Sequence, residues 1–337
     1  MTAVAFFNNK GGVGKTSLVY HLAWMFADLG VGVVAADLDP QANLTSMFLD
    51  ENEMERLWAS KAPRDTVSGA LVPLIEGLGD ISPPKTLMPR PGISLVPGDL
   101  SLSRVEDQLS SQWPLCLDDD QPRAFRVITA LSRILQHAQR ESEADLALID
   151  VGPNLGAINR AALIAADHVV VPLAPDLFSL QGLRNLGPTL VSWRNGWKER
   201  LDKAAGTEGL DGVAMPSGAM QPIGYVVQQH AVRLDRPVKA YARWMDAIPN
   251  EYRTAVLKEA DGHQLVVEND EHCLGLLRNY RSLMPYAQDA RKPMFFLRAA
   301  DGAVGGHVNA VRDCYDDFRN LACAISDRIG VRCPQLD

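Results

Sequence analysis

The chain has 337 residues, 47% of them hydrophobic and 22% charged, which is ample material for one large α/β domain or two small ones with a buried core. Its formal charge of −8 excludes a surface coated in basic groups, so any contact with nucleic acid needs a local patch and is sensitive to salt. Its five cysteines form no CxxC pair and have no histidine at metal-ligand spacing, which argues against a disulfide framework or a zinc site and for reduced, buried thiols.

Met1 to Phe7 runs straight into a glycine-rich loop with no basic, apolar and cleavable succession, and no apolar run approaches the roughly 20 residues of a membrane span. A cytoplasmic protein is expected. Thr2 to Phe7 is a short apolar run bounded by Asn8-Asn9 and predicts a buried strand, after which Lys15 to Leu29 carries apolar residues at helical spacing. Val31 to Ala36 predicts a second strand and sets Asp37 and Asp39 at the carboxyl edge of a sheet, where open α/β folds bind ligands. Ile93 to Pro97 predicts a third strand, residues 122–140 a helix, and 145–149 an apolar strand ending at Asp150. A helix near 156–166 and a strand over His168 to Leu173 follow. This alternation predicts an α/β fold with a doubly wound, mostly parallel sheet flanked by helices.

Residues 203–221 are rich in Gly, Ala, Pro and Ser and read as a surface insertion rather than a boundary, because Ile223 to Val227 and Cys273 to Leu277 look like further core strands. Residues 236–258 are helical in pattern, 261–271 form a polar insertion, and a last helix runs from about 304 to 328. A single domain over residues 1–330 with a short tail at 331–337 is expected.

Between the first strand and the first helix stands Asn9-Lys10-Gly11-Gly12-Val13-Gly14-Lys15-Thr16-Ser17. Small glycines let consecutive backbone N–H groups converge on phosphate oxygens, and the helix N-terminus adds a favourable dipole. Lys15 is placed to reach the β and γ phosphates and Thr16 to ligate Mg²⁺. The generic P-loop has glycine six places before that lysine, and here the place is held by Asn9.

The additional Lys10 in KGGVGKT resembles the deviant Walker A motif of the ParA/MinD family of P-loop ATPases. The resemblance implies that Lys10 reaches across a homodimer interface to the partner's nucleotide, so that two copies sandwich two ATP; an ordinary surface lysine is the alternative. It extends to Asp37-Leu38-Asp39-Pro40-Gln41, where Asp39 takes the position that orients the attacking water, although Asp39 can also cap the next helix. Asp150, closing LALID, resembles the Walker B aspartate that holds Mg²⁺ directly or through water. The family usually follows it with a small residue and two prolines; this chain has Val151-Gly152-Pro153, which adds backbone freedom where γ-phosphate is sensed and puts the coupling of hydrolysis to shape change in doubt. NRAALIAADHVVVPLAPDLFSLQGL carries the resemblance on to about residue 190, and GYVVQQH at 224–230 resembles the strand preceding the family's adenine contacts.

The family implies a switch whose ATP state grips nonspecific DNA and lets go when a ParB-like adaptor stimulates hydrolysis, which would add a nucleoid location. Candidate phosphate-contacting residues are Arg233, Arg236, Lys239 and Arg243 in one group and Arg278, Arg281, Arg291 and Lys292 in the other, each with solvated charge or ion pairing as the alternative. A MinD-like membrane switch would need a basic amphipathic C-terminal helix, and this one contains Asp313, Asp316, Asp317 and Asp327. The third reading is chemistry on a small molecule, or electron transfer through a bridging iron–sulfur cluster. The latter needs a cysteine after Walker B, and none lies between 117 and 272. Only nine residues precede Lys10, so no N-terminal helix-turn-helix for operator binding is expected.

Overall fold

The computed structural model describes residues 2–59, 65–230, 239–260, 265–280 and 282–334. Arg233, Arg236 and Arg281, residues 261–264 of the second insertion and 335–337 of the tail lie outside the described residues, and Lys239 is described by its backbone alone.

In chain order, β1 (Thr2–Phe6) leads to α1 (Lys15–Asp28), β2 (Val33–Asp37), α2 (Asn43–Phe48), α3 (Glu51–Ala59) and α4 (Val67–Ile75). The pair β3 (Leu87–Arg90) and β4 (Ile93–Val96) precedes α5 (Val105–Leu115), α6 (Pro122–Ile128), α7 (Ala130–Glu141) and β5 (Leu146–Asp150). Then come α8 (Ala157–Ala165), β6 (His168–Leu173), α9 (Leu177–Ala204), β7 (Gln221–His230) and α10 (Lys239–Glu251). β8 (Cys273–Arg278), α11 (Met284–Ala290) and α12 (Gly306–Ile329) complete the order.

The eight strands form one sheet in the order β3-β4-β2-β5-β1-β6-β7-β8, parallel except where β3 runs against β4. Every residue of β2 and β5 is buried, as expected of strands covered on both faces. Strand periodicity divides them between two cores. Ala5, Ala36 and Ile149 face the core formed with α4 through α9, whereas Val4, Ala35 and Leu148 face the one formed with α1, α11 and α12. β5 returns between β1 and β2, so Phe6 and Asp37 both pair with Asp150. This crossover brings together the ends of strands that are far apart in sequence.

Three local features differ from expectation. The helix expected over 122–140 is broken at Thr129, whose buried hydroxyl donates to the Phe125 carbonyl at 2.8 Å, a back-bond that bends helices. The helical pattern of 236–258 divides into α10 and a π-helical turn over Tyr252–Leu257 that ends at Lys258 with φ of 63°. β3 was not legible in the sequence. It is an edge strand of four residues, and Pro89, which cannot donate to a ladder, is tolerated at that edge.

His21 ties α1 to the C-terminal segment. It is 1% exposed, donates from Nδ1 to the Ser17 carbonyl at 2.6 Å, accepts the Met294 N–H at Nε2 at 3.1 Å and stacks on Phe318. Burial pushes its pKa down to about 4, against the Ser17 carbonyl, which raises it. Between that value and the ordinary imidazole range the unfolded chain binds more protons, so the contribution is full above about pH 6.5 and is lost as pH falls toward 4. Between pH 7 and 5 the wild-type protein should lose about 2 kcal/mol more unfolding free energy than a His21→Gln variant, measured by urea titration. Parallel pH profiles for the two would remove His21 as the cause.

Candidate functional site

The glycine loop turns at Gly12 and Gly14, with φ of 73° and 80°, values that disfavour a side chain. Gly14 is the N-cap of α1, whose first turn has no side-chain cap and no acid, so its amide dipoles point at an uncompensated anion site. Lys15 is buried, and among the described residues its ammonium donates to the carbonyls of Asn8 at 3.2 Å and Lys10 at 3.4 Å. Burial lowers its pKa, and Asp150 and Asp39 oppose that shift.

The acids gather where the topology requires. Asp37 Oδ2 accepts from the Thr45 backbone at 2.8 Å and hydroxyl at 2.6 Å, and Thr45 Oγ1 in turn accepts the Gly98 N–H at 2.9 Å. Asp37 Oδ1 is buried without a hydrogen-bond partner among the described residues, and burial raises this carboxyl to about 6 despite the Thr45 hydrogen bonds. Both Asp150 oxygens are buried and form no hydrogen bond of normal geometry among the described residues, although the Thr16 hydroxyl lies near enough to stabilise the carboxylate. Burial and then the Asp37 charge raise the Asp150 pKa well above the usual carboxylate range, with Thr16 and Lys15 among the groups pulling the other way. Asp39 accepts the Gln41 N–H at Oδ1 at 3.0 Å, a capping turn that leaves Oδ2 as an acceptor.

Orphaned buried carboxylate oxygens beside a hydroxyl fit a hard, hydrated cation. No group of three or more His, Cys, Asp or Glu among the described residues is arranged to hold a metal by itself. A divalent ion at Thr16 and Asp150 would therefore need phosphate and water oxygens as well, which is the habit of Mg²⁺.

Lys10 does not join Lys15. Its ammonium pairs with Asp176, and its own N–H donates to Asn8 Oδ1 at 2.9 Å. Asp176 also caps α9 by accepting the Ser179 N–H at 2.9 Å. Leu177 and Phe178, which follow Asp176 in the chain, are exposed, and the Lys10 ammonium lies 6.0 Å from the Phe178 ring centre. Neither Asn8 nor Asp176 was singled out in the sequence; the Asp176-x-x-Ser179 cap following an apolar strand was the available signal.

Beside Gly14 and Ser17 lies a cavity of about 240 Å³ lined also by Gln228, Leu277, Tyr280 and Phe318. The Gln228 Nε2 is buried there without a partner. Larger cavities, of about 550, 540, 410 and 310 Å³, reach neither the glycine loop nor Asp37 and Asp150.

Of the basic residues proposed from sequence, three among the described residues are engaged inside the chain. Arg278 pairs with Asp313 at 2.5 Å and Asp317 at 3.4 Å, Lys292 pairs with Asp301 at 2.7 Å, and Arg291 donates to the Leu49 carbonyl at 2.7 Å. Arg243 is exposed and lies 4.9 Å from the Trp244 ring centre.

Gly98 leaves room for this arrangement, because a methyl group there would sit 2.8 Å from the Asp37 carbonyl oxygen and 3.0 Å from its Cγ. Gly98→Ala should therefore lower the unfolding free energy by about 1–3 kcal/mol in urea. Unchanged stability would mean that the Asp37–Thr45–Gly98 contact is loose.

A family model described as an AAA domain matches residues 1–203. The chain is similar to the cell division protein PomZ of Myxococcus xanthus, 31% identical over 198 residues that make up 58% of this chain and 54% of that protein. It is also similar to the chromosome partitioning protein ParA of Caulobacter vibrioides, 29% identical over 202 residues, 60% of this chain and 67% of that one. The chain thus spans between about half and two-thirds of these relatives. Among solved structures, a protein of Corynebacterium diphtheriae superposes with a TM-score of 0.70 at 23% identity, covering 97% of this chain and 98% of that one. McdA of Cyanothece, solved as an ATP complex, gives 0.58 at 15% identity over 98% and 97%. These two likenesses concern the fold alone. With the family model spanning the P-loop, Asp39 and Asp150, the chain belongs to the ParA/MinD family of P-loop ATPases.

Proposed function

We propose that this protein is a slow ATPase switch that forms a homodimer over two Mg²⁺·ATP, holds nonspecific DNA in that state and releases it when an adaptor protein stimulates hydrolysis, in DNA partition or cargo positioning. The observation that carries this reading is the second lysine. Lys10 stands outside the cradle that Lys15 completes, partly exposed and paired with Asp176 beside the exposed Leu177 and Phe178, a face suited to a second copy.

In this reading the amides of Gly11 to Thr16, together with Lys15, bind the phosphates, and Ser17 flanks the cavity beside Gly14, where the orphaned Gln228 amide would meet the base. Thr16 and Asp150 would hold Mg²⁺, and Asp39 Oδ2 would accept a proton of the attacking water. Bound Mg²⁺·ATP supplies the phosphoanhydride to be cleaved and the positive charge that relieves the buried carboxylates. Lys10 must leave Asp176 before it can act across an interface, which makes pairing conditional and turnover slow.

DNA contact is assigned to the segment holding Arg233, Arg236, Lys239 and Arg243, because three of the other four candidates are engaged inside the chain. No helix among the described residues is long and apolar enough to cross a membrane. The acids of α12 also do not suit docking on an anionic bilayer.

Two measurements test the reading. With ATP, the wild-type protein should double its mass by light scattering, while Lys10→Ala binds nucleotide and stays monomeric; dimers of that variant would count against the sandwich. Binding to random-sequence duplex DNA should appear with ATP, vanish with ADP and weaken steeply between low and moderate salt. Hydrolysis without DNA binding in any nucleotide state would move the search to a protein partner.

A further inference from the structure

The loop after Asp150 is held by side chains. Residues 151–155 form no backbone–backbone turn or loop hydrogen bond among the described residues. Asn159 on α8, 1% exposed, donates from Nδ2 to the carbonyls of Gly152 at 2.8 Å and Asn154 at 2.6 Å and to Asn154 Oδ1 at 3.1 Å. The Gly156 N–H donates to that same Oδ1 at 2.9 Å. From α5, Glu106 accepts the N–H groups of Ala157 at 2.5 Å and Ile158 at 2.9 Å, capping α8 from another helix. It packs so closely that a methyl on Gly156 would lie 2.5 Å from its Oε1.

The other side of the loop faces the reaction centre. A methyl built on Gly152 would lie 3.4 Å from Asp39 Oδ1 and 3.7 Å from Oδ2, and one on Gly11 would lie 4.0 Å from the Pro153 ring. Gly152 has wide conformational freedom, so its place beside Asp39 must be imposed from outside. A buried amide shared by two carbonyls does this well, because removing it strands both acceptors away from water.

We infer that Asn159 and Glu106 are positioning residues for hydrolysis, gripping loop 151–156 so that the Gly152 backbone stays against the Asp39 carboxylate. The inference rests on the reading of this site as ATP-hydrolysing. Neither side chain forms a hydrogen bond or ion pair with the glycine loop, Asp39 or Asp150. Their effect therefore falls on turnover rather than on nucleotide affinity.

The test combines steady-state ATPase kinetics with amide hydrogen exchange of the nucleotide-free protein. Asn159→Ala and Glu106→Ala should each lower kcat by about tenfold or more while KM for Mg²⁺·ATP stays within about threefold. Glu106→Gln keeps one carbonyl acceptor and should retain at least about a third of kcat. The double alanine variant should lose less than the product of the single losses, because both act through one loop. In nucleotide-free Asn159→Ala, amides 152–158 should exchange about tenfold faster while β5 and α1 are unchanged. If Asn159→Ala does not fold, Asn159→Ser carries the same measurements. Unchanged exchange of the loop, a kcat within about twofold of wild type, or loosening spread over the whole domain would overturn the inference while leaving the ATPase reading standing. A wild-type protein that binds Mg²⁺·ATP without ever turning it over would overturn the ATPase reading and this inference with it.

Discussion

Two carboxylates that the sheet sets side by side in a dry place govern this molecule. Asp37 and Asp150 are paired in register at the ends of adjacent parallel strands, both fully buried, and three of their four oxygens form no hydrogen bond of normal geometry among the described residues. Low-dielectric surroundings make such a pair costly when ionised, and their raised pKa values express that cost. The neighbouring Lys15 ammonium is itself desolvated and held by two long contacts to carbonyls. These desolvated groups stand in electrostatic tension, which in the proposed function a hydrated cation with phosphate oxygens would relieve.

The surrounding structure keeps that tension in place. Thr45 and Gly98 hold Asp37 from the side of β4, and Asn159 and Glu106 hold the loop after Asp150 from α8 and α5. Asn159 and Glu106 belong to helices packed into the core that faces α4 through α9, whereas Thr45 belongs to α2, which packs into the opposite core, so the loops near the site are held from both layers. On the opposite face His21 links the helix that begins at the glycine loop to the segment before α12. A change at the phosphate cradle is thus mechanically connected to both layers of helices. Lys10 and Asp176 form a half-exposed pair, which in the proposed dimer would have to open.

The strands and the glycine loop were legible because their signals are local. Runs such as LALID and HVVVPL are continuous apolar segments bounded by polar residues, and the structure places strands at Leu146–Asp150 and His168–Leu173. Helix interruptions at Thr129 and Tyr252 were missed, since neither position breaks the apolar periodicity; a buried hydroxyl and a π-turn do. The ion pairing of Arg278 and Lys292 was also beyond reach, because a basic residue looks the same in sequence whether it is solvated or neutralised by an acid elsewhere in the chain.

By itself the sequence determined the glycine loop between β1 and α1, because a strand, a glycine turn, a lysine and a helix N-terminus follow one another within about one supersecondary unit. It also determined the doubly wound architecture, through the alternation of buried strands and amphipathic helices. Only the tertiary structure decided which acid faces which, that Lys10 rests on Asp176, and that Glu106 caps a helix 51 residues further on. Such pairs are set by strand order and by the packing of whole elements, and no short-range pattern of residues encodes a contact whose two halves are brought together only when the sheet closes.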